Sequence, residues 1–250
     1  MLNITFKANS LLGSGSRAFL QPDDGIPRIV IDPGHGGRDP GTPWGNLLEK
    51  NLTLDIAKRV RKALVKKPGV RVILTRKGDE FPHGQRGLQK RIQIGNQYRN
   101  GVFVSIHLNA GVKGANGMET FHCPEKHPMA QQRLAHWLGC EEGATVVDRR
   151  GELLAESVQK HAVAGTGLKD RTVKNDQQFR VIHEVVMPSI LVECAFLSDP
   201  KDRKKIQDSV FREKVALGIA DGIFAYLDET KGNPRSGISI NGETAVEDPS

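Results

Sequence analysis

The chain has little cysteine, few aromatic residues and no long apolar run, and each shortage argues against a class of protein. Three cysteines, Cys123, Cys140 and Cys194, stand among 250 residues with no C-x-x-C pair and one thiol left over, so no disulfide framework is expected. Aromatic residues make up only 5% and do not interleave with a basic run, which argues against stacking on single-stranded nucleic acid. No stretch approaches the roughly 18 to 20 apolar residues that cross a bilayer, so no membrane insertion is expected. The opening "MLNITFKANSLLGSGSRAFL" has no signal-peptide hydrophobic region, and no internal repeat suggests a solenoid or a repeated wall-binding module.

What is present fits an ordinary globular enzyme. Hydrophobic residues make up 38% and charged residues 26%, enough for a core and too little charge for a disordered chain. At 250 residues one domain is the default. Thirty-six Lys and Arg against 29 Asp and Glu give a formal charge of +7. That excess favours an acidic partner, whether nucleic acid, an anionic membrane or an anionic wall polymer, without choosing among them.

Hydrophobic periodicity gives the architecture. "RIVID", residues 28–32, is a short buried strand closed by Pro33-Gly34. Leu52, Ile56, Val60 and Ala63 or Leu64 fall on one face of a helix over 49–64, which Pro68-Gly69 stops before the strand "VRVILT". A helix over 86–98, the strand "VFVSIHLNA" from Val102, the strand "GMETFHC", two helices within 127–163, the strand "SILVECAF" at 189–196 and a terminal helix over 209–227 follow. The order implies βαβ units. We expect an α/β domain over 27–228 with a twisted, mostly parallel mixed sheet of about six strands, flanked by helices on both faces. Residues 1–26 read as an irregular arm and 229–250 as a flexible tail.

Three polar residues then stand out. His35 follows the first strand, Glu49 opens the first helix and His107 lies near the end of the "VFVSIHLNA" strand. In a parallel sheet the carboxyl ends of the strands share one rim, so the three can converge. Two imidazoles and a carboxylate suit a catalytic zinc. Each alone is ordinary, a histidine at a strand end being commonly a packing residue and a glutamate in a first helical turn being favoured by the macrodipole. Glu193 is a fourth: it interrupts an otherwise apolar strand, where an unpaired carboxylate is costly. It suits a general base beside the metal or, alternatively, an ion pair with an arginine.

These segments together resemble the zinc-dependent N-acetylmuramoyl-L-alanine amidases of the Amidase_3 type. The resemblance runs through "IVIDPGHGGRDPGT", "EKNLTLDIAKRV", Thr75-Arg76, Arg86 or Arg91, "FVSIHLNA", "NGMETF" and "TGLKDRTVKNDQQFRVIHEVVMPSILVECAFLSDPKDRKKI", in order from about Arg28 to Leu227. Members are cell-wall hydrolases, some of them phage lysins. The resemblance implies Zn²⁺ held by His35, Glu49 and His107, with Glu193 as catalytic carboxylate in hydrolysis of the amide between N-acetylmuramic acid and L-alanine of the peptidoglycan stem. Glu119 resembles a second acidic position of the family, able to orient a ligand or substrate. Asp32 is expected either to hold the second nitrogen of His35 or to cap the turn. Trp137–Arg150 reads as a reduced insert or surface elaboration, with a lid over the metal as one reading. The implied partner is peptidoglycan alone, the implied state a monomer, and the implied setting the bacterial cell wall, reached as a released lysin or autolysin or as a trimmed secreted enzyme. A zinc peptidase or carboxypeptidase cutting the stem peptide, and a wall-binding protein with a dead site, are the alternatives.

Overall fold

The protein was analysed as a computed structural model that describes residues 24–80, 85–141, 144–231 and 233–244. Residues 1–23 of the arm expected over 1–26 and the last six residues of the expected tail lie outside the described residues. In chain order the elements are β1 (Arg28–Pro33), β2 (Pro43–Trp44), β3 (Leu47–Leu48), α1 (Glu49–Leu64), β4 (Arg71–Leu74), α2 (Gln85–Gly95), β5 (Gly101–Asn109), β6 (Met118–His122) and α3 (Pro128–Leu138). They continue with β7 (Val146–Asp148), α4 (Arg150–Thr166), β8 (Asp170–Asn175), α5 (Arg180–Glu184), β9 (Ser189–Phe196), α6 (Pro200–Gln207), α7 (Ser209–Glu229), β10 (Ile238–Ile240) and β11 (Glu243–Thr244).

Six strands form the main sheet in the order β4-β1-β5-β9-β6-β8. Every pairing in it is parallel except β6 against β9. The central strands β1 and β9 are buried along their whole length, as expected where helices cover both faces. Ile29, Ile31, Val104, Ile106, Val192 and Cys194 face a core shared with α1, α4 and α7. Val30, Phe103 and Leu191 face the other, with Ile92 of α2 and Val181 and Ile182 of α5. Side chains alternate across a strand, so Asp32, Ser105, His107 and Glu193 belong to the α2/α5 face. The predicted sheet is therefore present. Its sixth strand, β8, had no apolar signature because "DRTVKN" is an edge strand without a fully buried residue.

The chain after α7 departs from expectation. Instead of a flexible tail throughout 229–250, Ile238–Ile240 pairs antiparallel with Val146–Asp148, and β11 folds back on it. Arg150, fully buried, fixes the junction: it donates bidentately to Asp148 (Nε–Oδ1 2.8 Å, Nη2–Oδ2 2.9 Å) and to the carbonyl of Pro234 (2.9 Å). Ile238 packs on Leu134 and Leu138 of α3. Within 137–150, Val146–Asp148 is thus part of this small sheet.

Ile238→Ala should cost about 2–4 kcal/mol, the scale of removing a fully buried aliphatic side chain. Urea unfolding followed by circular dichroism measures it, and an unchanged midpoint would mean that the strand does not dock.

Candidate metal centre and general base

The turn after β1 builds the first part of the site. Pro33-Gly34 ends the strand, and His35 takes a left-handed conformation at φ 60°, unusual for a residue with a Cβ. Gly36 and Asp39 exchange backbone hydrogen bonds of 2.9 and 3.1 Å, which returns the chain and sets Asp39 beside the imidazole. Two buried arginines hold the turn from below. Arg76 donates to the carbonyls of Pro33 (3.0 Å), Gly34 (2.8 Å) and Lys50 (2.7 Å). Arg91 donates to the carbonyls of Pro33 (2.6 Å) and His35, and to the carboxylate of Asp32.

Three side chains then meet at one point. Oε1 of Glu49 lies 3.1 Å from Nε2 of His35 and 3.1 Å from Nδ1 of His107, and it accepts the backbone N–H of Leu108 at 3.0 Å. Its other oxygen accepts the N–H of Thr42 at 2.8 Å. The approach is close enough to need glycine at two places: a Cβ on Gly34 would stand 2.4 Å from Cε1 of His107, and one on Gly41, at φ +70°, 2.5 Å from Oε2 of Glu49. Burial pushes the Glu49 carboxyl up, but His107 and His35 outweigh that and hold it well below the usual range. Burial likewise pushes His35 down, and Glu49 and Asp39 reverse the direction.

The donor chemistry fits a metal ion. Asp39, itself held ionised by His35, can only accept, so Nδ1 of His35 donates to it at 2.9 Å. Nε2 of His35, Nδ1 of His107 and Oε1 of Glu49, two nitrogens and a carboxylate oxygen, then face one space and are the atoms that would hold the ion. Among the described residues this is the group of His, Cys, Asp or Glu able to hold a metal ion, with ligand atoms within 4.8 Å of one another. An imidazole with its other N–H on a carboxylate is how histidine ligands are oriented.

Strand register adds the acid. His107 pairs across to Glu193, and Glu193 pairs across to Glu119, so three polar residues form a row over β5, β9 and β6. Glu119 is neutralised: it accepts from Asn109 (2.7 Å), from Arg171 (2.7 Å) and from Lys174. Glu193 is 7% exposed, and its Oε2 has no hydrogen-bond partner within the protein. Burial pushes its carboxyl well above the usual range, and the negative charges of Glu49 and Glu119 push the same way.

The profile of the N-acetylmuramoyl-L-alanine amidase family, Amidase_3, matches residues 29–225. The chain belongs to this family. It is 35% identical over 199 residues to the N-acetylmuramoyl-L-alanine amidase LytC of Bacillus subtilis, covering 79% of this chain and 35% of LytC. It is 31% identical over 216 residues to the germination-specific N-acetylmuramoyl-L-alanine amidase of the same organism, covering 82% of this chain and 81% of that protein. Of solved structures, the N-acetylmuramoyl-L-alanine amidase of Clostridium difficile 630 superposes with a TM-score of 0.67 at 34% identity, covering 82% of this chain and 98% of the other. The chain therefore spans about a third of the length of LytC.

In this family member the site opens into a cleft of about 340 Å³ on the α2/α5 face, lined by Leu88, Arg91, Gln178, Phe179 and Arg180 as well as His35 and His107. None of its lining comes from 137–150 among the described residues. Asp32 does not serve His35. Its carboxylate is taken by Thr75, Ser105 and Arg91, below the turn. Asp39 fills the expected place, and the only hint of it in the sequence is its spacing of four from His35. Arg76 and Arg91 entered the sequence reading as matches without a role.

Asp39→Ala should weaken metal affinity about 10- to 100-fold, measured by competition with a chromogenic chelator. Glu193→Gln should stabilise the metal-free protein at pH 7.5 and not at pH 4. Below the pKa of an unfolded glutamate both states are protonated; above it the unfolded carboxyl ionises freely while the buried one resists, so the wild type loses stability relative to Gln as pH rises. Denaturant unfolding in chelator at the two pH values reads the difference.

Proposed function

We propose that the chain hydrolyses the amide joining the lactyl carbonyl of N-acetylmuramic acid to L-alanine of the peptidoglycan stem peptide, with zinc held by His35, Glu49 and His107 and Glu193 as general base and then general acid. The observation that carries the reading is Glu193: a buried carboxylate with an unpartnered Oε2, in register with His107, in a chain of the amidase family. When bound, the zinc supplies Lewis acidity, polarising the scissile carbonyl and making water easier to deprotonate.

The rest is done by the chain. The raised proton affinity of Glu193 suits it to take a proton from the attacking water at Oε2 and to give it to the departing amine of L-alanine. A carboxylate tied up in hydrogen bonds would be a weaker base. Glu119, paired with Arg171 and Lys174, keeps its charge and so adds to the proton affinity of Glu193. Asp39 orients His35, and the cleft beside it, walled by Leu88 and Phe179, excludes water from one flank of the site. The reading places the protein's work at the bacterial cell wall. Among the described residues no helix is long and apolar enough to cross a membrane.

Purified peptidoglycan is the test substrate. The wild type should release stem peptides with a free L-alanine amino terminus, chelator should stop the reaction, and Glu193→Gln should lower kcat at least about 10³-fold with metal content unchanged, the scale of losing an essential proton-transfer group. Cleavage within the stem peptide, or lysis that survives both chelator and Glu193→Gln, would overturn the reading.

A further inference from the structure

On the amidase reading the acyl side of the scissile bond belongs to one sugar of a long glycan, so the site meets neighbouring sugars that a small substrate lacks. The rim carries a large side chain suited to them. Trp44 is 42% exposed and lies in the two-residue β2–β3 hairpin, where Pro43 pairs with Leu48 and Trp44 with Leu47. That hairpin joins two of the proposed metal ligands, His35 and Glu49. It is tied to the second by the Thr42 N–H on Oε2 of Glu49 at 2.8 Å. One residue, Pro43, separates Trp44 from Thr42, so its Cα stands within about 7 Å of that anchored residue.

A second segment braces the indole. The guanidinium carbon of Arg203, in α6, lies 4.8 Å from the centroid of the Trp44 ring system. Arg203 is held in turn: its Nη1 donates at 2.7 Å to the carbonyl of Leu197, the residue after β9, the strand that bears Glu193. The pair therefore joins the hairpin that precedes Glu49 to the helix that follows the strand of Glu193.

We propose that Trp44, braced by Arg203, is a saccharide-stacking platform that holds a sugar ring of the glycan next to the one whose amide is cut. The proposal rests on the amidase reading for the identity of the polymer. A pyranose presents a face of C–H groups bounded by hydroxyls, which matches an aromatic plane with a polar, donor-rich neighbour. A protein or a membrane would need a contiguous apolar patch. Here Gly45 and Asn46 follow the tryptophan, and a single ring is enough for a sugar.

The test compares wild type, Trp44→Ala and Trp44→Phe on intact peptidoglycan and on a soluble single-sugar muramyl peptide. The ratio of kcat/KM on the polymer to that on the short substrate should fall about tenfold in Trp44→Ala, the scale of one lost stacking contact, and stay within about twofold of wild type in Trp44→Phe. Equal loss on both substrates, with lower metal content, would show that the hairpin acts only through Glu49 and would overturn the proposal; so would an unchanged ratio. If wild type cleaves neither substrate, the amidase reading fails by itself. The platform is then decided by sedimentation with peptide-free glycan strands, where binding by wild type and loss in Trp44→Ala support it, and equal or absent binding overturns it.

Discussion

The site depends on a backbone turn that would not form on its own. His35 sits in left-handed space, and the carbonyls of Pro33, Gly34 and His35 leave the strand ladder together at the buried end of β1. Unpaired, they would cost more than the turn could recover. Arg76 and Arg91 supply the donors, each forked guanidinium serving several oxygens of the turn in a fixed planar geometry. Both cations are nearly buried, at 3% and 5% exposure, and Arg91 is paired with the buried carboxylate of Asp32. Burial and the nearby Arg91 lower the pKa of Arg76 to about 10, well above neutrality. Burial pushes Asp32 up, but Arg91, Thr75 and Ser105 outweigh it, so the carboxylate stays charged. Both guanidiniums donate to backbone carbonyls of the turn, and in this way they fix the backbone geometry of His35.

Above that layer the row His107–Glu193–Glu119 brings acidic groups together on adjacent strands, and they coexist because their surroundings differ. Glu119 is neutralised by Arg171 and Lys174, and Glu49 by the imidazoles and two backbone N–H groups. Glu193 receives nothing comparable and sits buried between them. Separating the proton affinities of neighbouring carboxyls in this way assigns them different jobs. The fold bears the destabilisation because β9 is held by β5 on one side and β6 on the other, and residues 190–192 and 194–196 around Glu193 are apolar.

Much of this was legible in residues and spacing. Apolar runs located β1, β4, β5, β6 and β9, and the rim argument brought His35, Glu49 and His107 toward one another because parallel strands end on one side. What escaped detection was set by partners far away in the chain. Asp32 and Asp39 flank His35 at similar distances in sequence, and only the turn's hydrogen bonds decide which of them meets the imidazole. Arg150 looks like one basic residue among many, yet it is fully buried because Asp148 and the returning chain at Pro234 close around it. The strand Ile238–Ile240 is three residues long in a Gly- and Pro-rich stretch, too short for periodicity to register.

The placement of the site across the sheet carries a last consequence. His107 and Glu193 rise from the α2/α5 face, where the cleft lined by Leu88, Phe179 and Arg180 opens. Glu49 belongs to α1, which covers the opposite face, and the hairpin before it leans on Arg203 of α6, beyond the end of β9. The proposed reacting groups therefore stand on the rim between the cleft on one side and the Trp44 hairpin on the other. A linear substrate lying in one groove would use one flank. A branched one, whose two arms diverge from the bond to be cut, uses both, and on the amidase reading the substrate is branched there: a glycan carries the acyl group and a peptide carries the amine. The cleft then suits the narrower, more polar peptide arm, since it is bounded by Gln178, Arg180 and Arg91 as well as apolar walls, while the open edge beside Trp44 leaves room for a polymer too wide to enter a cleft.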